Sequence, residues 1–522
     1  MSYRSPLSDV TIPSMSLPAY VFRKAQRWID KPALIDGPTG RTLTFGQLQD
    51  AVGKVAGGLT ARGFGKGDVF CVFSPNLPEY AVVFFAVTTV GGVITTVNPT
   101  YTAGELAHQL QDAGARFLVT VPPFLGTARE AAQQAGVEEV FVFGEAEGAT
   151  PFADLFGSEA EAPAVAIDPF EDLAVLPYSS GTTGLPKGVM LTHHNLVANI
   201  AQTLSMERME EGEVLIGILP FYHIYGMVVV MSMALSAGTT IVTMPRFDLE
   251  QFLDLVQRHR VTLAYLVPPI VLALAKHPLV DQYDLSALHT IVSGAAPLPE
   301  AVAEGCAGRL GCVVKQGYGL TETSPVTHFT PKGANVKVAS IGFPVPNTEI
   351  RVVDVTTGED LPAGERGEFW IRGPQVMKGY HKRPDATQDM LDEQGWLHTG
   401  DIGSVDEDGY FYIVDRVKEL IKYKGLQVAP AELEAVVHSH PAVADAAVIP
   451  CPDEEAGEVP KAFVVLKPGA VATAEEIMAF VAEQVAPYKR LRYVEFIDQI
   501  PKVPSGKILR RELVRRDREA DR

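Results

Sequence analysis

The sequence predicts an α/β and α+β protein with a large N-terminal domain and a small C-terminal one. Helical and strand patterns alternate over about residues 1–345, which is typical of two βα-layered subdomains. Short alternating strands follow over about 346–415, as in a distorted β-barrel. A mixed α+β unit then fills 417–522. Because 522 residues are too many for one compact core, we assign the large domain to 1–416.

The first subdomain opens with an amphipathic helical pattern at 21–30 and a longer one at 44–63, which ends on a glycine. The apolar run at 68–75 is bounded by turn residues, as a strand covered on both faces would be. Runs at 115–121 and 138–144 repeat that strand pattern. This alternation predicts an open α/β layer architecture.

The second subdomain continues the alternation. A strand leads into a glycine-rich loop after Tyr178, and a helix at 195–206 and a strand at 214–220 follow. A further helix and strand occupy 245–268. The pattern then changes to short alternating strands joined by turns, which predicts the β-rich subdomain: 348–354, 367–373 and 409–415.

The small domain follows DRVKELIKYKG, a segment that is dense in charge and has no strong periodicity. We place the domain boundary inside it, near Asp415 to Lys418. The last dozen residues have mixed charge, and we expect them to form a solvated end. Between these segments the pattern predicts two helices, the first with Pro430 near its first turn, and three strands: 431–440, 443–450, 461–467, 474–485 and 493–501.

Composition limits the function classes. Hydrophobic residues make up 47% of the chain and charged residues 20%, which is ordinary for a globular protein. The net charge of −19 excludes general nucleic-acid binding, which needs a basic surface. An anionic ligand must therefore be held by local positive groups against an unfavourable long-range field. Such groups cluster late in the chain: Arg416, Lys418, Lys422, Lys424, Lys489, Arg490, Arg492, Lys507, Arg510 and Arg511.

The cysteines and the N-terminus favour a cytoplasmic protein. The first 20 residues lack the apolar core of a signal peptide. The four cysteines are scattered and form no CxxC pair, so we expect reduced, mostly buried thiols: Cys71, Cys306, Cys312 and Cys451.

Two uncharged runs, 80–104 and 224–245, are long enough to span a bilayer, which takes about 20 residues. Both are interrupted by Gly and are rich in Thr or Ser, and neither has basic flanks on one side only. We interpret each as a buried helix that runs into a buried strand. We therefore predict no membrane span.

The loop YSSGTTGLPKGVMLTH, at 178–193, has almost no side-chain bulk. A P-loop does not fit, because Gly181 and Gly184 are too close together, Gly188 stands where Ser or Thr is needed, and a strand pattern follows. Two interpretations stay open on the loop alone. It is either a flexible surface turn or a phosphate-binding loop between strands, whose N–H groups, hydroxyls and Lys187 face a polyphosphate.

Six motifs occur in order along nearly the whole chain. Together they resemble the signature set of the adenylate-forming superfamily of acyl-CoA synthetases, luciferases and peptide-synthetase adenylation domains. Within it they are most similar to 4-coumarate–CoA ligases, including bacterial cinnamate–CoA ligases. The motifs are YSSGTTGLPKGV from Tyr178, LPFYHIYG from Leu219, QGYGLTETSP from Gln316, WLHTGDIG from Trp396, VDRVKELIKYKGLQVAPAELE from Val414 and PKVPSGKILRREL from Pro501.

The resemblance implies a carboxylate–CoA ligase that works in two half-reactions. A carboxylic acid attacks the α-phosphorus of Mg·ATP to give acyl-AMP and diphosphate, and coenzyme A then displaces AMP to give a thioester. Since an anion must attack a polyanion, positive groups and N–H donors must lie where charge develops. The expected ligands are a carboxylic acid, ATP, Mg²⁺ and coenzyme A, bound by a monomer or homodimer.

For the nucleotide, the resemblance implies that Tyr318 packs on adenine and that Thr321 contacts phosphate. Glu322 would hold Mg²⁺, a hard cation that prefers oxygen ligands. Asp401 would accept hydrogen bonds from both ribose hydroxyls, with Arg416 assisting. The full ATP- and AMP-binding set is Ser179, Ser180, Gly181, Thr182, Thr183, Lys187, Ala295, Gln316, Gly317, Tyr318, Gly319, Thr321, Asp401, Arg416 and Lys507.

For the acid, the resemblance implies that Lys507 bridges the carboxylate and the α-phosphate. His223, which we expect at a strand end, would line the carboxylate side of the acyl pocket in a positioning or gating role. The expected catalytic set is Lys507, His223, Lys422, Gln427 and Thr321.

For the second half-reaction, the resemblance implies a mobile C-terminal lid that rotates about a hinge at Lys418. Lys507 would then leave the site, and the segment after the hinge would replace it. Lys422 and Gln427 would lie near the adenylate and its phosphate. Lys424 and Gly425 would line the path of the pantetheine arm of coenzyme A.

The acyl pocket is expected to hold a flat ring or an alkyl chain, with room left by Gly317 and Gly319. The segment TSPVTHF departs from the AGPV common in plant coumarate ligases, which puts a hydroxycinnamate preference in doubt. Cinnamate- or coumarate-type acids are the expected substrates, and medium- or long-chain fatty acids are the alternative, since an apolar pocket separates acids that differ by a methylene by only about 1–3 kcal/mol. By position the pocket includes Tyr225, Val228, Ala295, Gly317, Gly319, Pro325 and Val326.

Three other functions compete with this one. A phosphotransferase that uses the glycine loop would release ADP instead of AMP. An adenylation enzyme that loads a carrier protein would act without free coenzyme A, and no carrier domain follows the small domain. A luciferase-like oxygenase shares the fold, but no motif supports it, and the C-terminus lacks the SKL peroxisome address.

Overall fold

The computed structural model describes residues 2–157, 164–179, 186–416, 419–423, 426–453, 456–485, 487–503 and 506–520. The largest apolar core draws on residues between Leu17 and Phe411, and a separate core draws on residues between Ile421 and Leu491. Short 3₁₀ turns lie at Ala25–Trp28, Pro122–Phe124, Phe152–Gly157, Pro278–Gln282, Thr321–Thr323 and Pro487–Lys489.

The first described segment confirms the predicted alternation. The helix predicted at 44–63 begins where the Thr44 hydroxyl accepts from the Gln47 N–H, and it ends before Gly63, whose φ is 72°. The helix predicted at 21–30 is instead a short helix followed by a 3₁₀ turn. The elements are β1 Tyr3–Arg4, α1 Leu17–Phe22, β2 Pro32–Asp36, β3 Thr42–Thr44, α2 Phe45–Ala61, β4 Val69–Phe73, α3 Pro78–Thr89, β5 Val93–Thr96, α4 Ala103–Ala113, β6 Ala115–Thr120, α5 Leu125–Ala135, β7 Glu139–Val142 and β8 Thr150–Pro151.

The next segment also alternates, and it contains a buried nine-residue π-helix at Tyr225–Met233. Helices of this type are rare and often occur at functional sites. The other elements are β9 Leu173–Val175, β10 Tyr178–Ser179, β11 Lys187–Thr192, α6 His193–Glu207, β12 Val214–Gly217, α7 Ala234–Ala237, β13 Thr240–Thr243, α8 Leu249–Arg258, β14 Leu263–Leu266, α9 Pro268–Lys276, β15 Thr290–Ser293, α10 Glu300–Leu310, β16 Val313–Gly319, β17 Val326–Phe329 and β18 Phe343–Pro344.

The β-rich subdomain is a curled antiparallel sheet in the order β1-β19-β20-β22-β23. Its first strand comes from the N-terminus, which the sequence pattern did not predict. There Tyr3 pairs with Ile350, and the Val10 N–H donates to the Asn347 side chain at 3.0 Å. The elements are β19 Glu349–Val353, β20 Gly367–Arg372, β21 Gly379–Tyr380, α11 Pro384–Met390, β22 Leu397–Val405 and β23 Phe411–Arg416.

Two nine-stranded sheets form the rest of the large domain. The first runs β10-β11-β9-β5-β4-β6-β7-β8, with β21 paired to β11, and the second runs β18-β17-β16-β15-β14-β12-β13-β2-β3. Their central strands are parallel and buried, as the continuous apolar runs predict. Because the carboxyl ends of parallel strands meet at one edge, the segments after β12, β15 and β16 come together there.

The small domain has one five-stranded sheet, β25-β24-β27-β26, with β28 beside β27. The predicted solvated end is wrong for 510–520, which form a helix packed on β26. Leu513 of this helix is buried, and Asp517 pairs with Lys461. One narrow face of this highly charged helix therefore packs on the sheet. The elements are β24 Ile421–Tyr423, β25 Leu426–Val428, α12 Pro430–Ser439, β26 Val443–Asp453, β27 Gly457–Leu466, α13 Ala474–Ala482, β28 Tyr493–Phe496 and α14 Arg510–Ala520.

The two long uncharged runs are folded into the large domain. The first holds most of α3 and then β5, and the second holds the π-helix, α7 and β13, all buried. Within the described ranges no helix has the length and apolar character needed to cross a bilayer. Each run is therefore a buried helix followed by a buried strand, as predicted.

Candidate active site

The glycine loop joins two antiparallel strands at the edge of the first sheet, where Ser179 of β10 pairs with Lys187 of β11. The strand predicted after the loop is confirmed. It excludes a P-loop, since a P-loop opens a helix. The remaining loop residues expected to contact phosphate lie outside the described residues: Ser180, Gly181, Thr182 and Thr183.

Glu322 lies in the short turn Thr321–Thr323 directly after β16, and it is buried. Its Oε1 accepts two hydrogen bonds, from the Ser179 hydroxyl at 2.9 Å and from the Tyr380 hydroxyl at 2.8 Å. The Lys187 ammonium lies 4.9 Å from the centre of the Tyr380 ring, within the range of a cation–π contact. The base of the glycine loop, the turn after β16 and strand β21 therefore meet at one carboxylate.

The chemistry of Glu322 suits a hard cation. Both hydrogen bonds from the described residues go to Oε1, so the lone pairs of Oε2 remain for another ligand. In the part of the chain that the structure describes, no group of three or more His, Cys, Asp or Glu side chains could hold a metal alone. A divalent cation here would need further oxygen ligands, which a bound phosphate supplies.

Tyr380 is fixed as a hydrogen-bond donor. Burial and the adjacent Glu322 carboxylate raise its pKa well above the usual range. The phenol therefore stays protonated at neutral pH and keeps its hydrogen on the carboxylate.

Asp401 lies in β22 and is buried beside the residue expected to stack on adenine. Its Oδ2 accepts a hydrogen bond from the Tyr318 hydroxyl at 2.6 Å, and its N–H donates to the Thr399 hydroxyl at 3.0 Å. Arg416 pairs with Asp401 across β22 and β23, while the Arg416 side chain lies outside the description. Tyr318 and Asp401, the residues predicted to contact adenine and ribose, are thus joined directly by a hydrogen bond.

The glycines of β16 serve close backbone packing. A Cβ at Gly319 would overlap the carbonyl of Pro325, and a Cβ at Gly317 would lie 3.2 Å from the Phe329 ring. The space expected above Gly319 is therefore already filled by the neighbouring strand. This corrects the expectation that Gly319 leaves room for substrate.

The side-chain amide of Gln316 forms hydrogen bonds to the backbone of two loops. Its Oε1 accepts from the Leu298 N–H at 3.0 Å, and its Nε2 donates to the carbonyls of Leu298 and Val338. Its side chain therefore supports the loops around the expected nucleotide site rather than reaching into it.

The expected acyl-pocket residues come from three separate segments. Tyr225 and Val228 lie on the π-helix, and the Tyr225 hydroxyl donates to the Val292 carbonyl at 3.3 Å. Ala295 follows β15 with a φ of 69°, a conformation that costs a non-glycine residue about 1–3 kcal/mol and is concentrated at functional sites. Val326 follows Pro325 and is held at both its N–H and its carbonyl by the Asn199 amide: 3.0 Å and 2.6 Å.

The prediction that His223 lies at a strand end is wrong. Strand β12 stops at Gly217, and His223 lies in a turn just before the π-helix. The buried Asn76 amide explains the turn, because it donates to the carbonyls of Gly217 and Leu219 and accepts from the Phe221 N–H. His223 therefore lies near the start of the π-helix and not at the edge of the sheet.

The small domain approaches the large domain at Gly506, next to Lys507. Gly506, with a φ of 85°, packs so closely on α9 that a Cβ there would lie 2.9 Å from the Pro269 ring. Protein surrounds the His223 side chain, yet the side chain is exposed to solvent. Its Nδ1 accepts from the Tyr225 N–H at 3.2 Å. The Lys507 ammonium is close enough to His223 for its charge to lower the pKa of the ring.

The charge state of His223 gives a pH prediction. Burial and, second, the nearby Lys507 ammonium lower its pKa to about 4. Folded His223 should be neutral above about pH 5. NMR titration of the His223 ring should show a midpoint near 4, and Lys507→Ala should raise it. A midpoint near 6.5 in the unaltered chain would contradict the placement.

The residues predicted for the second half-reaction are only partly described. Lys422 of β24 pairs with Gln427 of β25, but their side chains lie outside the description. Lys418, Lys424 and Gly425 lie outside the described residues altogether. Their roles stay predictions.

A buried charge cluster lies where the two domains join. Arg510, at the start of α14, forms two 2.8 Å hydrogen bonds to the Glu434 carboxylate and a third to Glu419. Asp415, at the end of β23, accepts from the Ala431 N–H at 2.8 Å in the first turn of α12. Burial raises the pKa of Glu434 to about 7 against the pull of Arg510. One guanidinium thus serves two carboxylates of the small domain.

Sequence reasoning missed Tyr380. It lies in QVMKGYHKRPD, a short segment between turns, where neither spacing nor composition separates a site residue from an ordinary turn aromatic. Its partners Ser179 and Glu322 are distant in sequence, so only the folded chain reveals the contact.

Comparison with known proteins identifies two family matches. The profile of the AMP-binding enzyme family matches residues 21–381, and that of the AMP-binding enzyme C-terminal domain matches 432–507. The chain is 46% identical to 4-coumarate–CoA ligase 5 of Oryza sativa subsp. japonica, and the match covers 98% of this chain and 96% of that protein. It is 44% identical to 4-coumarate–CoA ligase 2 of Petroselinum crispum, with the same coverage.

Solved structures agree with the fold. ATP-bound MatB from Rhodopseudomonas palustris superposes with a TM-score of 0.89 at 30% identity, covering 98% of this chain and 100% of that one. The anthranilate CoA ligase AuaEII in complex with anthranoyl-AMP also gives 0.89, at 28% identity and with 98% and 99% coverage. The fold class and the family resemblance predicted from sequence are confirmed.

Proposed function

Because this chain belongs to the AMP-binding enzyme family, we propose that it is an AMP-forming acid–CoA ligase. It would convert a carboxylic acid, ATP and coenzyme A into acyl-CoA, AMP and diphosphate through an acyl-AMP intermediate. The observation that carries the proposal is the match to relatives named 4-coumarate–CoA ligases over 98% of the chain.

The nucleotide half of the site has a division of labour. Tyr318 and Asp401 would hold adenine and ribose, and the glycine loop with Lys187 would hold the β- and γ-phosphates. Glu322 would bind Mg²⁺ together with phosphate oxygens, and the cation would neutralise charge on the leaving diphosphate. Thr321, next to Glu322, would contact phosphate. In this proposal Glu322 would be the acid beside the metal, and the glycine loop would contribute only neutral or positive groups.

Lys507 would supply the positive charge on which adenylation depends. Carboxylate and α-phosphate repel each other, and an ammonium between them stabilises the charge that develops in the transition state. Neutral His223 would orient the carboxylate without competing with Lys507 for it, since its pKa of about 4 keeps it uncharged near pH 7. Lys507 would therefore supply the positive charge, and His223 would position the carboxylate.

We propose aryl-propenoic acids of the cinnamate or 4-coumarate type as substrates. The relatives named 4-coumarate–CoA ligases support this class, as they match 98% of the chain. Tyr225, which lies on the π-helix, is expected in the wall of the pocket, where its phenol ring would pack on a flat aromatic acid. Medium- and long-chain fatty acids are the alternative that the experiment below separates.

The test is a panel of cinnamic, 4-coumaric, benzoic, octanoic and palmitic acids with ATP and coenzyme A. We expect AMP and thioester in equal amounts, with the aryl-propenoic acids giving the highest kcat/KM. Release of ADP, or absence of any coenzyme A dependence, would overturn the ligase assignment. A preference for octanoic or palmitic acid would overturn only the substrate class.

Gly294 offers a direct probe of the expected pocket. A Cβ at this position would lie 2.9 Å from Tyr225 Cε1 and 3.2 Å from its hydroxyl, so Gly294→Ala should press Tyr225 toward the substrate. We expect KM for 4-coumarate to rise about tenfold, the discrimination that one methyl group gives in an apolar pocket. ATP binding should not change. An equal loss with short and long acids would argue against this placement.

A further inference from the structure

Strand β21 ties the glycine loop to the turn that carries Glu322. It pairs with β11 directly behind the loop, through Met190 and Gly379. Just before it, the Met377 N–H donates to the Glu322 carbonyl at 2.8 Å, and the Gln375 carbonyl accepts from the Ser324 hydroxyl at 2.9 Å. Both sides of the expected phosphate site are thus connected by one short segment.

Tyr380 stands at the centre of this connection. Its hydroxyl donates to Glu322 Oε1, and its ring lies under the Lys187 ammonium. It is 5% exposed, so neither contact is made through solvent. A group that holds a metal-binding carboxylate in place commonly sets metal affinity, and its loss costs about 10- to 100-fold.

The hairpin formed by β10 and β11 carries another tyrosine, Tyr178, which is anchored in the same way but away from Glu322. The Tyr178 hydroxyl donates to Asp112 Oδ2 at 2.7 Å, and Asp112 also binds Arg383 at 3.2 Å. The Tyr178 hydroxyl therefore connects the hairpin to α4, and the Tyr380 hydroxyl connects β21 to the turn that carries Glu322. If the Tyr380 hydroxyl only stabilised the fold, removing it should affect Mg²⁺ dependence no more than removing the Tyr178 hydroxyl does.

We infer that Tyr380 is a positioning residue for Mg·ATP: its hydroxyl, with that of Ser179, fixes Glu322 Oε1 so that Oε2 faces the cation, while its ring orients Lys187. This inference rests on the proposed function, and it assigns the metal affinity of the site to a residue outside the motifs. Removing the hydroxyl leaves Glu322 with one donor instead of two. The carboxylate is then free to rotate, and the cation loses a fixed ligand.

The test is Tyr380→Phe, which keeps the ring under Lys187 and removes only the hydroxyl. Binding of a non-hydrolysable ATP analogue to the full chain is measured by calorimetry over a series of MgCl₂ concentrations. We expect the Mg²⁺ concentration for half-maximal binding to rise about tenfold. Tyr178→Phe is the matched control, and its Mg²⁺ dependence should stay within twofold of the unaltered chain.

A double-variant cycle separates positioning from general loosening. In a Glu322→Gln background, Tyr380→Phe should have little further effect on Mg²⁺ dependence, because the carboxylate it orients is gone. Equal shifts in Tyr380→Phe and Tyr178→Phe, or no shift in Tyr380→Phe, would overturn the inference. The acid panel on the unaltered chain tests the ligase function independently, so a failure of one is distinguishable from a failure of the other.

Discussion

Replacing Lys507 with Ala should slow acyl-AMP formation by about 100- to 1,000-fold, the usual cost of losing one preorganised charge stabiliser. The Lys507 ammonium is close enough to His223, where the acid carboxylate is expected, to lower the His223 pKa. Thioester formation from supplied acyl-AMP should be nearly unchanged, because Lys507 is expected to leave the site for that step. Acid-dependent ATP–diphosphate exchange measures the first half-reaction, and thioester yield measures the second.

The matched control for this prediction is Lys502→Ala. Lys502 lies in the same C-terminal segment but pairs with Asp445 of the small domain at 2.7 Å. It should leave both half-reactions within about twofold of the unaltered chain, as surface ion pairs contribute little. If Lys507→Ala slowed both half-reactions to the same degree, the proposed exchange of residues between them would be wrong.

Replacing Arg510 with Leu should destabilise the small domain by about 3–5 kcal/mol. Arg510 is the cation shared by Glu434 and Glu419, and both carboxylates would be left unpaired in a largely buried site. The three tryptophans, Trp28, Trp370 and Trp396, all lie in the large domain. Hydrogen exchange of peptides from 430–520 should therefore show the loss, while unfolding followed by tryptophan fluorescence should change little.

Two further variants test the cause of that loss. Arg511→Leu changes the exposed neighbour of Arg510 and should leave exchange in the small domain as it was. Combining Arg510→Leu with Glu434→Leu removes both charges and should restore part of the protection, since a buried ion pair is often replaceable by apolar residues. No recovery in the double variant would show that Arg510 acts through packing and not through charge.

The sequence predicts most elements because their causes are local. Thr44 and Gly63 bound a helix by capping chemistry within a few residues, and buried parallel strands appear as continuous apolar runs. Where the residue that stabilises a turn is distant in sequence, the sequence pattern does not predict that turn. The turn at His223 depends on Asn76, which is about 140 residues away in the chain and shows no pattern that points to it.

The same distinction applies to the candidate site. Motifs identify Glu322 and Asp401, because their neighbours in sequence carry the resemblance. They do not show that Tyr318 already binds Asp401, or that Tyr380 binds Glu322, since these pairs are 83 and 58 residues apart. Hydrogen bonds between distant segments can be identified only in the folded chain. These bonds define how the expected ligand-binding residues are arranged in space.

Pairing between β1 and β19 has a consequence for how the chain is made. Tyr3 and Ile350 are partners although almost 350 residues separate them, so strand β1 stays unpaired until β19 has been made and joins it. Until then the β19 edge and its N-terminal partner are both open hydrogen-bonding edges, which attract other chains. The small domain, by contrast, is built from contiguous residues that follow the large domain in the chain. Folding of the large domain therefore needs a pairing between distant strands that the small domain does not need.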